Sequence, residues 1–363
     1  MLFDPRPKER REDFFDREHE LKLFIDGLRY PLSLILGLRR TGKTSLLLVG
    51  LKEAGYPHVI VDCRNLPINP SKKDIMLAFQ EAFNQMARKH RKIWDTIKDY
   101  MKNIKGVEVL GIGISISWKK ASISSIIDEM DEWARDHGTR IVLAFDEFQQ
   151  IRGARQIVIM LAHIYDYRRN ISTVLTGSEM GLLYGTLALD DPDSPLYGRY
   201  VHEVRLENFS RELSLEFLKM GFKQYNMHPN TKVLEYAVEK FNGIPGWLTF
   251  FGAKAVSVGK VTEEIVDEIF EMAVHQAISE INNFLKLREA GRRRYVIILK
   301  SVAEGTNRWS EIKRKMEASE GRELPSPTVT TLLKNLVKAS ILKDENGKYE
   351  FMDPIIRAAA KRL

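Results

Sequence analysis

Short apolar runs alternate with segments of helical periodicity over the first two hundred residues of the chain. A short apolar run bounded by polar or turn residues predicts a strand that is buried on both faces. Five such runs occur, at residues 31–36, 58–63, 140–145, 171–176 and 201–206. Strands that alternate with helices form a parallel sheet covered by helices on both faces. The pattern therefore predicts an α/β domain over residues 1–206.

Two further features of this domain follow from the same pattern. Residues 72–104 form a long helical insertion, and residues 107–118 alternate apolar with polar or glycine positions, which predicts a strand or short hairpin. A helix is expected to begin near Asp16, because aspartate is a preferred N-cap residue.

From residue 207 onward the pattern is helical. Helices are expected at about 210–225, 231–241, from 247 onward, and as one or two elements over 262–289. We interpret residues 207–289 as a small helical lid domain on the α/β domain.

The last segment, residues 290–363, has a different pattern. Three helical stretches are expected at 292–304, 309–318 and 328–339. Asn346-Gly347 then stands between two short apolar runs, which is a strong signal for a β-hairpin. Three helices followed by a hairpin are typical of a winged-helix domain.

A phosphate-binding motif follows the first strand. Residues 37–44 read Gly-Leu-Arg-Arg-Thr-Gly-Lys-Thr and fit G-x-x-x-x-G-K-[ST] between a strand and a helix, the context that the motif needs. Its glycines let backbone N–H groups converge on phosphate oxygens, and the helix N-terminus adds partial positive charge. We expect Lys43 to reach the β- and γ-phosphates of ATP and Thr44 to place its hydroxyl on Mg²⁺. The expected nucleotide-binding residues of the loop are Gly37, Arg40, Thr41, Gly42, Lys43, Thr44 and Ser45.

An acidic pair, Asp146-Glu147, ends the third apolar run. The carboxyl ends of parallel strands are where ligands bind in open α/β sheets. We expect Asp146 to orient a water on the metal and Glu147 to act as general base toward the attacking water.

Two later segments offer polar groups to the same site. Thr176 and Ser178 follow the fourth strand, and either could contact the γ-phosphate or the lytic water; a helix N-cap is the alternative role. Arg199, just before the fifth strand, could stabilise charge on the transferring phosphoryl group, within its own subunit or from a neighbouring one in an oligomer. The alternative is a surface arginine paired with Asp190, Asp191 or Asp193.

The composition of the chain is that of a globular protein without membrane-spanning or secreted features. The hydrophobic fraction, 44%, is that of an ordinary globular protein. No apolar run is long enough for a transmembrane helix, and the N-terminus lacks a signal core. The single cysteine, Cys63, suits a reducing cytoplasm and is expected to be a buried strand thiol. The histidines show no metal-ligand spacing.

The combination of these motifs resembles the archaeal ATPase family, in the STAND branch of the AAA+-like P-loop ATPases. The segments that carry the resemblance are 37–44, 141–147, 176–178, 195–199, 243–246 and 351–354. The resemblance implies a nucleotide domain, a helical lid and a C-terminal winged helix. It places Arg17 near the adenine and Pro245 on the lid side of the nucleotide, although Asp16 stands where the family often has glycine. It also implies slow ATP hydrolysis that closes and opens a conformation.

Charge is unevenly distributed and suggests a polyanionic partner. Residues 290–363 hold 16 Lys and Arg against 9 Asp and Glu, whereas the rest of the chain holds 40 of each. The third helix of a winged helix usually enters the DNA major groove. With Ser326 as N-cap, the residues expected to point outward are Thr328, Thr330, Thr331, Lys334, Asn335 and Lys338. Lys343, Lys348 and Arg292 to Arg294 could add contacts to the DNA backbone. A protein-docking role is the alternative for this domain.

The sequence supports two other functions less well than that of a regulatory ATPase. A replication initiator related to the origin-recognition ATPases shares the three-part layout, but it needs a DNA-contacting insertion, and residues 72–118 carry mixed charge. An inactive nucleotide-binding scaffold is disfavoured because Lys43, Thr44, Asp146 and Glu147 are all present.

Overall fold

The computed structural model describes residues 1–67, 69–117, 119–151 and 155–363. These residues form two compact units. The first comprises residues 7–37 and 42–206, and the second comprises residues 1–6, 38–41 and 207–363. The turn of the phosphate loop, residues 38–41, is therefore grouped with the C-terminal part of the chain.

Five parallel strands form the central sheet of the first unit, and a separate hairpin contributes two more strands. In chain order they are β1 Leu32–Gly37, β2 His58–Asp62, β3 Val107–Val109, β4 Ile114–Ile116, β5 Ile141–Asp146, β6 Ile171–Gly177 and β7 His202–Leu206. The sheet order is β2-β5-β6-β1-β7, and the five strands of this sheet all run parallel. The predicted α/β class is confirmed. The carboxyl ends of β1, β5 and β6 lie side by side at one edge of the sheet.

Helices cover both faces of this sheet. They are α1 Glu18–Gly27, α2 Lys43–Ala54, α3 Lys72–Lys89, α4 Arg91–Met101, α5 Ile123–Asp136, α6 Arg155–Tyr167 and α7 Met180–Leu187. Successive side chains of a strand point to opposite faces. Leu34 and Leu36 of β1 accordingly pack in one core with residues of α3 to α7, whereas Ile35 packs in a second core with residues of α1 and α2.

The insertion consists of α3, α4 and the hairpin β3–β4. The predicted helical insertion consists of two helices, and His90 separates α3 from α4. Asn84 of α3 fastens the hairpin, because its side chain donates to the carbonyl of Ile114 (3.0 Å) and accepts from the N–H of Ile114 (2.7 Å). Trp118, at the end of the predicted strand segment, lies outside the described residues.

The predicted cap of α1 was wrong. Asp16 and Arg17 both have left-handed backbone angles, with φ of 54° and 73°. Arg17 is the N-cap residue and makes no side-chain capping bond. The turn at these two residues moves the start of the helix to Glu18.

The second unit begins with four helices, α8 Arg211–Lys223, α9 Thr231–Phe241, α10 Pro245–Val258 and α11 Glu263–Lys286. Phe3 of the N-terminal segment is part of their core. A Cβ added at Gly221 or Gly252 would lie within 2.4 Å of the Phe3 ring, so both glycines make room for it.

The C-terminal part of this unit has the predicted winged-helix order. Its elements are α12 Arg292–Ala303, α13 Trp309–Glu320, α14 Ser326–Lys338, β8 Leu342–Glu345, β9 Lys348–Phe351 and α15 Pro354–Ala360. Asn346 and Gly347 both have positive φ, 56° and 78°, as a two-residue hairpin turn requires. Ser326 was wrongly predicted as the cap of α14, since it is the first helical residue and Pro325 precedes it as N-cap. None of the described helices combines the length and the apolar character needed to cross a membrane.

Candidate nucleotide site

The phosphate loop connects β1 to α2. Gly42 has φ of 99°, a conformation that favours glycine, and its carbonyl accepts the N–H of Leu46 to start the helix. Lys43 is the first residue of α2, and the N–H groups in the first turn of a helix have no partner within the helix itself. The loop therefore has the strand–loop–helix geometry that binds phosphate.

The predicted metal ligands lie together. The Thr44 hydroxyl is 3.1 Å from Oδ2 of Asp146, at the end of β5. Burial raises the pKa of the Asp146 carboxyl, and the charge of Glu147 adds to the rise, while the hydrogen bond from Thr176 opposes it. A nearby cation would favour the ionised carboxylate. A hydroxyl and a carboxylate oxygen at this separation fit the oxygen ligands that Mg²⁺ prefers.

Glu147 lies beside Lys43. Oε1 of Glu147 is 3.8 Å from Nζ of Lys43, and the Lys43 side chain is only 4% exposed. Glu147 has a left-handed backbone with φ of 56°, which turns the chain after β5. A carboxylate next to the lysine of the phosphate loop is suitably placed to act as a base toward water at a bound phosphate.

Thr176 and Ser178 contact different members of the acidic pair. The Thr176 hydroxyl donates to Oδ1 of Asp146 (2.6 Å) and accepts the N–H of Glu147 (2.9 Å). The Ser178 hydroxyl donates to Oε2 of Glu147 (2.7 Å). Neither residue caps α7, whose N-cap is Glu179.

Gln149 is a site residue that sequence reasoning missed. It lies in the 3-10 turn Phe148–Gln150, and its Nε2 donates to Oε2 of Glu147 (2.5 Å) and to Oγ of Ser178 (3.0 Å). The available sequence signal was its position two residues after the acidic pair, with a second glutamine beside it.

Three predicted site residues have other partners. Arg17 is 6% exposed and pairs with Glu20 at 2.7 Å. The Ser45 hydroxyl accepts the N–H of Lys8 (3.0 Å). Arg199 binds the carboxylate of Asp166 through two nitrogens, at 3.1 and 2.7 Å, rather than Asp190, Asp191 or Asp193.

The loop turn has its own contacts within the second unit. The carbonyl of Arg40 accepts the N–H of Gly246 (3.0 Å), the residue after Pro245 at the start of α10. The Arg40 guanidinium lies 4.1 Å from the ring centroid of Trp247, and it also pairs with Glu280 of α11. Thr41 donates its hydroxyl to the carbonyl of Leu38.

Several residues predicted to contact DNA form hydrogen bonds or ion pairs with other residues of the protein. The Asn335 side chain donates to the Tyr295 hydroxyl, so it faces α12 and not solvent. The arginines of α12 bind Asn282, the Ser319 carbonyl and Glu320, respectively. On the wing, Lys343 and Lys348 both pair with Glu350. The prediction that Asn335 points outward was wrong, because spacing alone does not reveal a partner on a neighbouring helix. The DNA contacts expected of the arginines and lysines stay predictions.

A parallel sheet with a phosphate loop after β1, and an acidic pair at the end of β5 beside the loop threonine and lysine, defines a P-loop ATPase. The profile of an ATPase domain predominantly from Archaea matches residues 14–251, and the chain belongs to this family. The profile of the MCM C-terminal winged helix-turn-helix domain matches residues 289–352. The predicted family and ATPase activity are confirmed.

Solved structures agree with this assignment. The Walker-type ATPase PABY2304 of Pyrococcus abyssi is similar over 100% of both chains, at 33% identity and a TM-score of 0.85. The ORC2 protein of Aeropyrum pernix, solved as ADPNP and ADP complexes, matches 99% of this chain and 95% of its own at 12% identity and a TM-score of 0.60. The second likeness shows the fold alone. No curated protein matches the sequence.

Proposed function

We propose that this ATPase is a nucleotide-dependent conformational switch of the STAND type, in which ATP binding and slow hydrolysis change the state of the helices after residue 206. The observation that carries the proposal is the bond from Gly246 N–H to the Arg40 carbonyl. Residues 38–41 are covalently continuous with Gly37 and Gly42, so a change in the loop on binding phosphate reaches α10 through this bond.

In this proposal each site residue has a role in ATP binding or hydrolysis that follows from its contacts. Thr44 and Asp146 hold Mg²⁺, which supplies charge neutralisation at the phosphates, and Lys43 binds the β- and γ-phosphates. Glu147 acts as the general base. Ser178 is the residue that senses the γ-phosphate, because it contacts Glu147, whereas Thr176 supports Asp146. Arg17 and Pro245 are proposed at the adenine and on the lid side of the nucleotide. Arg199 can stabilise phosphoryl charge only after its guanidinium leaves Asp166.

The switch is tested with Glu147→Gln, which should bind ATP without hydrolysing it. We expect hydrogen exchange in α10 to differ between the ATP-bound and ADP-bound variant. Lys43→Ala, which should bind neither nucleotide tightly, serves as the control and should show no such difference. Equal exchange in the ATP and ADP states would contradict the switch.

We further propose that the winged helix binds double-stranded DNA, with protein docking as the alternative outcome. The support comes from exposed cations in the described part of this domain that make no ion pair with a carboxylate, among them Arg308, Arg314, Lys334 and Lys338. Lys334 and Lys338 lie one turn apart on α14, the helix that would enter the groove.

This proposal is tested by replacing Lys334 and Lys338 together with alanine. DNA affinity should fall about tenfold or more, and the slope of log K against log salt should decrease by about 2, because each lysine displaces roughly one counterion. Lys219 and Lys223 of α8 have the same spacing and exposure and form the matched control. Equal affinities for the two double variants would contradict a DNA-binding role for α14.

A further inference from the structure

Gln149 lies next to the acidic pair, Asp146 and Glu147, and its side chain is almost fully buried. We propose that Gln149 is a positioning residue for ATP hydrolysis, which fixes the orientation of the Glu147 carboxylate. The proposal depends on the ATPase activity of the family and on the proposed role of Glu147 as base. It does not depend on the conformational switch or on DNA binding.

Three side chains form a closed ring of hydrogen bonds. Nε2 of Gln149 donates one hydrogen to Oε2 of Glu147 and the other to Oγ of Ser178, and Ser178 donates to the same Oε2. All three polar hydrogens of Gln149 and Ser178 are used within the ring. If the amide were turned over, its carbonyl oxygen would face a carboxylate oxygen. The ring therefore fixes the orientation of the amide.

The ring determines which oxygen of Glu147 faces the phosphate-binding group. Oε2 accepts two hydrogen bonds from Gln149 and Ser178, while Oε1 lies 3.8 Å from Nζ of Lys43. Since Lys43 is the group expected at the γ-phosphate, a water that attacks this phosphate meets Oε1. A general base must lie within hydrogen-bond reach of the proton it removes, and small misplacements lower the rate strongly.

The surroundings of Gln149 indicate that stability alone does not account for a glutamine here. Its Oε1 is buried, and no described residue donates to it. A buried carbonyl without a donor is unfavourable. The residue opposite is Gly177, where a Cβ would lie 3.1 Å from this Oε1. Gly177 thus makes space for the side-chain amide of Gln149. The hydrogen bonds that this amide makes with described residues are the two that its Nε2 donates.

The test replaces Gln149 with methionine, which has a similar length and no donors. We expect kcat to fall about 10- to 100-fold, with KM for Mg-ATP changed less than threefold and no loss of thermal stability. Gln150→Met is the matched control, because Gln150 is the adjacent glutamine and has no side-chain bond to the acidic pair, and its kcat should stay within twofold of wild type.

A double variant separates positioning from a general structural role. In a Glu147→Gln background the base is already absent, so Gln149→Met should cause no further loss in single-turnover phosphate release. If the methionine variant does not fold, Gln149→Glu serves instead. Its kcat relative to wild type should recover as the pH is lowered, because the protonated side chain regains one donor. Unchanged kcat in Gln149→Met, an equal loss with and without Glu147, or a parallel loss of kcat and nucleotide affinity would each overturn the proposal.

Discussion

The guanidinium of Arg40 lies over the indole ring of Trp247, with its central carbon 4.1 Å from the ring centroid. Both Arg39 and Arg40 also pair with Glu280, at 3.2 and 3.5 Å. The turn between the two glycines of the phosphate loop is therefore held by α10 and α11. The backbone shape that binds phosphate depends on residues more than two hundred positions away in the sequence.

Replacing Arg40 with methionine should weaken ATP binding. The variant keeps an unbranched chain against Trp247 but loses the cation–π contact, which contributes about 0.5 to 2 kcal/mol. The dissociation constant for Mg-ATP should rise about 2- to 30-fold in titration calorimetry. Arg39→Met is the control, because Arg39 shares Glu280 and is more exposed, and its effect should be smaller. Equal effects of the two substitutions would show that charge near Glu280, and not stacking on Trp247, supports the loop.

Replacing Thr176 with valine should lower both the stability of the fold and the rate of ATP turnover. Valine has the same shape, but the Thr176 hydroxyl links Oδ1 of Asp146 to the N–H of Glu147. Leaving that N–H without an acceptor should cost about 1 to 3 kcal/mol in the free energy of unfolding, and turnover should fall about tenfold. Urea unfolding and steady-state kinetics measure the two effects.

Thr173 in the same strand provides the control for this substitution. Its hydroxyl is also buried but has no described hydrogen-bond partner. Thr173→Val should therefore be neutral or slightly stabilising. A loss of stability as large as that of Thr176→Val would mean that β6 does not tolerate valine, whatever its hydrogen bonds.

The sheet, the phosphate loop and the acidic pair could be predicted because all three depend on local sequence. A buried parallel strand is an uninterrupted apolar run, and the phosphate loop needs glycine, lysine and threonine at fixed spacing. The position of Asp146 and Glu147 followed from the strand that precedes them. The hairpin at Asn346-Gly347 was equally local, since its positive φ angles select these residue types.

The remaining features depend on partners that are distant in sequence. Asn335 has a spacing that places it outward on an isolated helix, but the Tyr295 hydroxyl on another helix accepts from it. The donors of Gln149 meet a serine 29 residues later in the chain. The start of α1 depended on backbone angles at Asp16 and Arg17, where neither residue is glycine. Single-sequence patterns carry no information on such pairings.

Stability of the C-terminal part should depend on the protonation of Asp353. Burial raises the pKa of this carboxyl to about 6, against an ordinary value of 3.8, while the hydrogen bond from Ile355 and the charge of Arg40 oppose the rise. The folded state then binds the proton more tightly than the unfolded chain. Folding stability is therefore lost as the pH rises from about 4 through about 6.

Asp353→Asn tests this dependence, because asparagine can keep the capping bond to the N–H of Ile355. At pH 7 the variant should be more stable than wild type by about 2 to 3 kcal/mol in urea unfolding, and the difference should shrink toward zero near pH 4. A constant difference at both pH values would show that Asp353 does not titrate in this range.

Arg199 is predicted to act on the phosphoryl group, yet its guanidinium is bound to Asp166 of α6. If it acts in catalysis, Arg199→Ala should lower kcat by at least tenfold, and Asp166→Asn, which releases the guanidinium, should not lower it. Arg168→Ala is the matched control, because Arg168 is likewise held by a carboxylate, that of Asp128. If Arg199→Ala and Arg168→Ala both leave kcat unchanged, Arg199 is a surface arginine whose role is to pair with α6.

The concentration dependence of turnover then distinguishes the two ways in which Arg199 could act. If the arginine serves its own subunit, turnover per subunit should be independent of protein concentration. If it is supplied by a neighbour, turnover should rise with concentration, and inactive Glu147→Gln subunits should restore activity to Arg199→Ala subunits when the two are mixed. This rescue is expected because the first variant still provides an arginine and the second still provides a base. A concentration-dependent wild type without rescue in the mixture would mean that association activates the enzyme by a route other than Arg199.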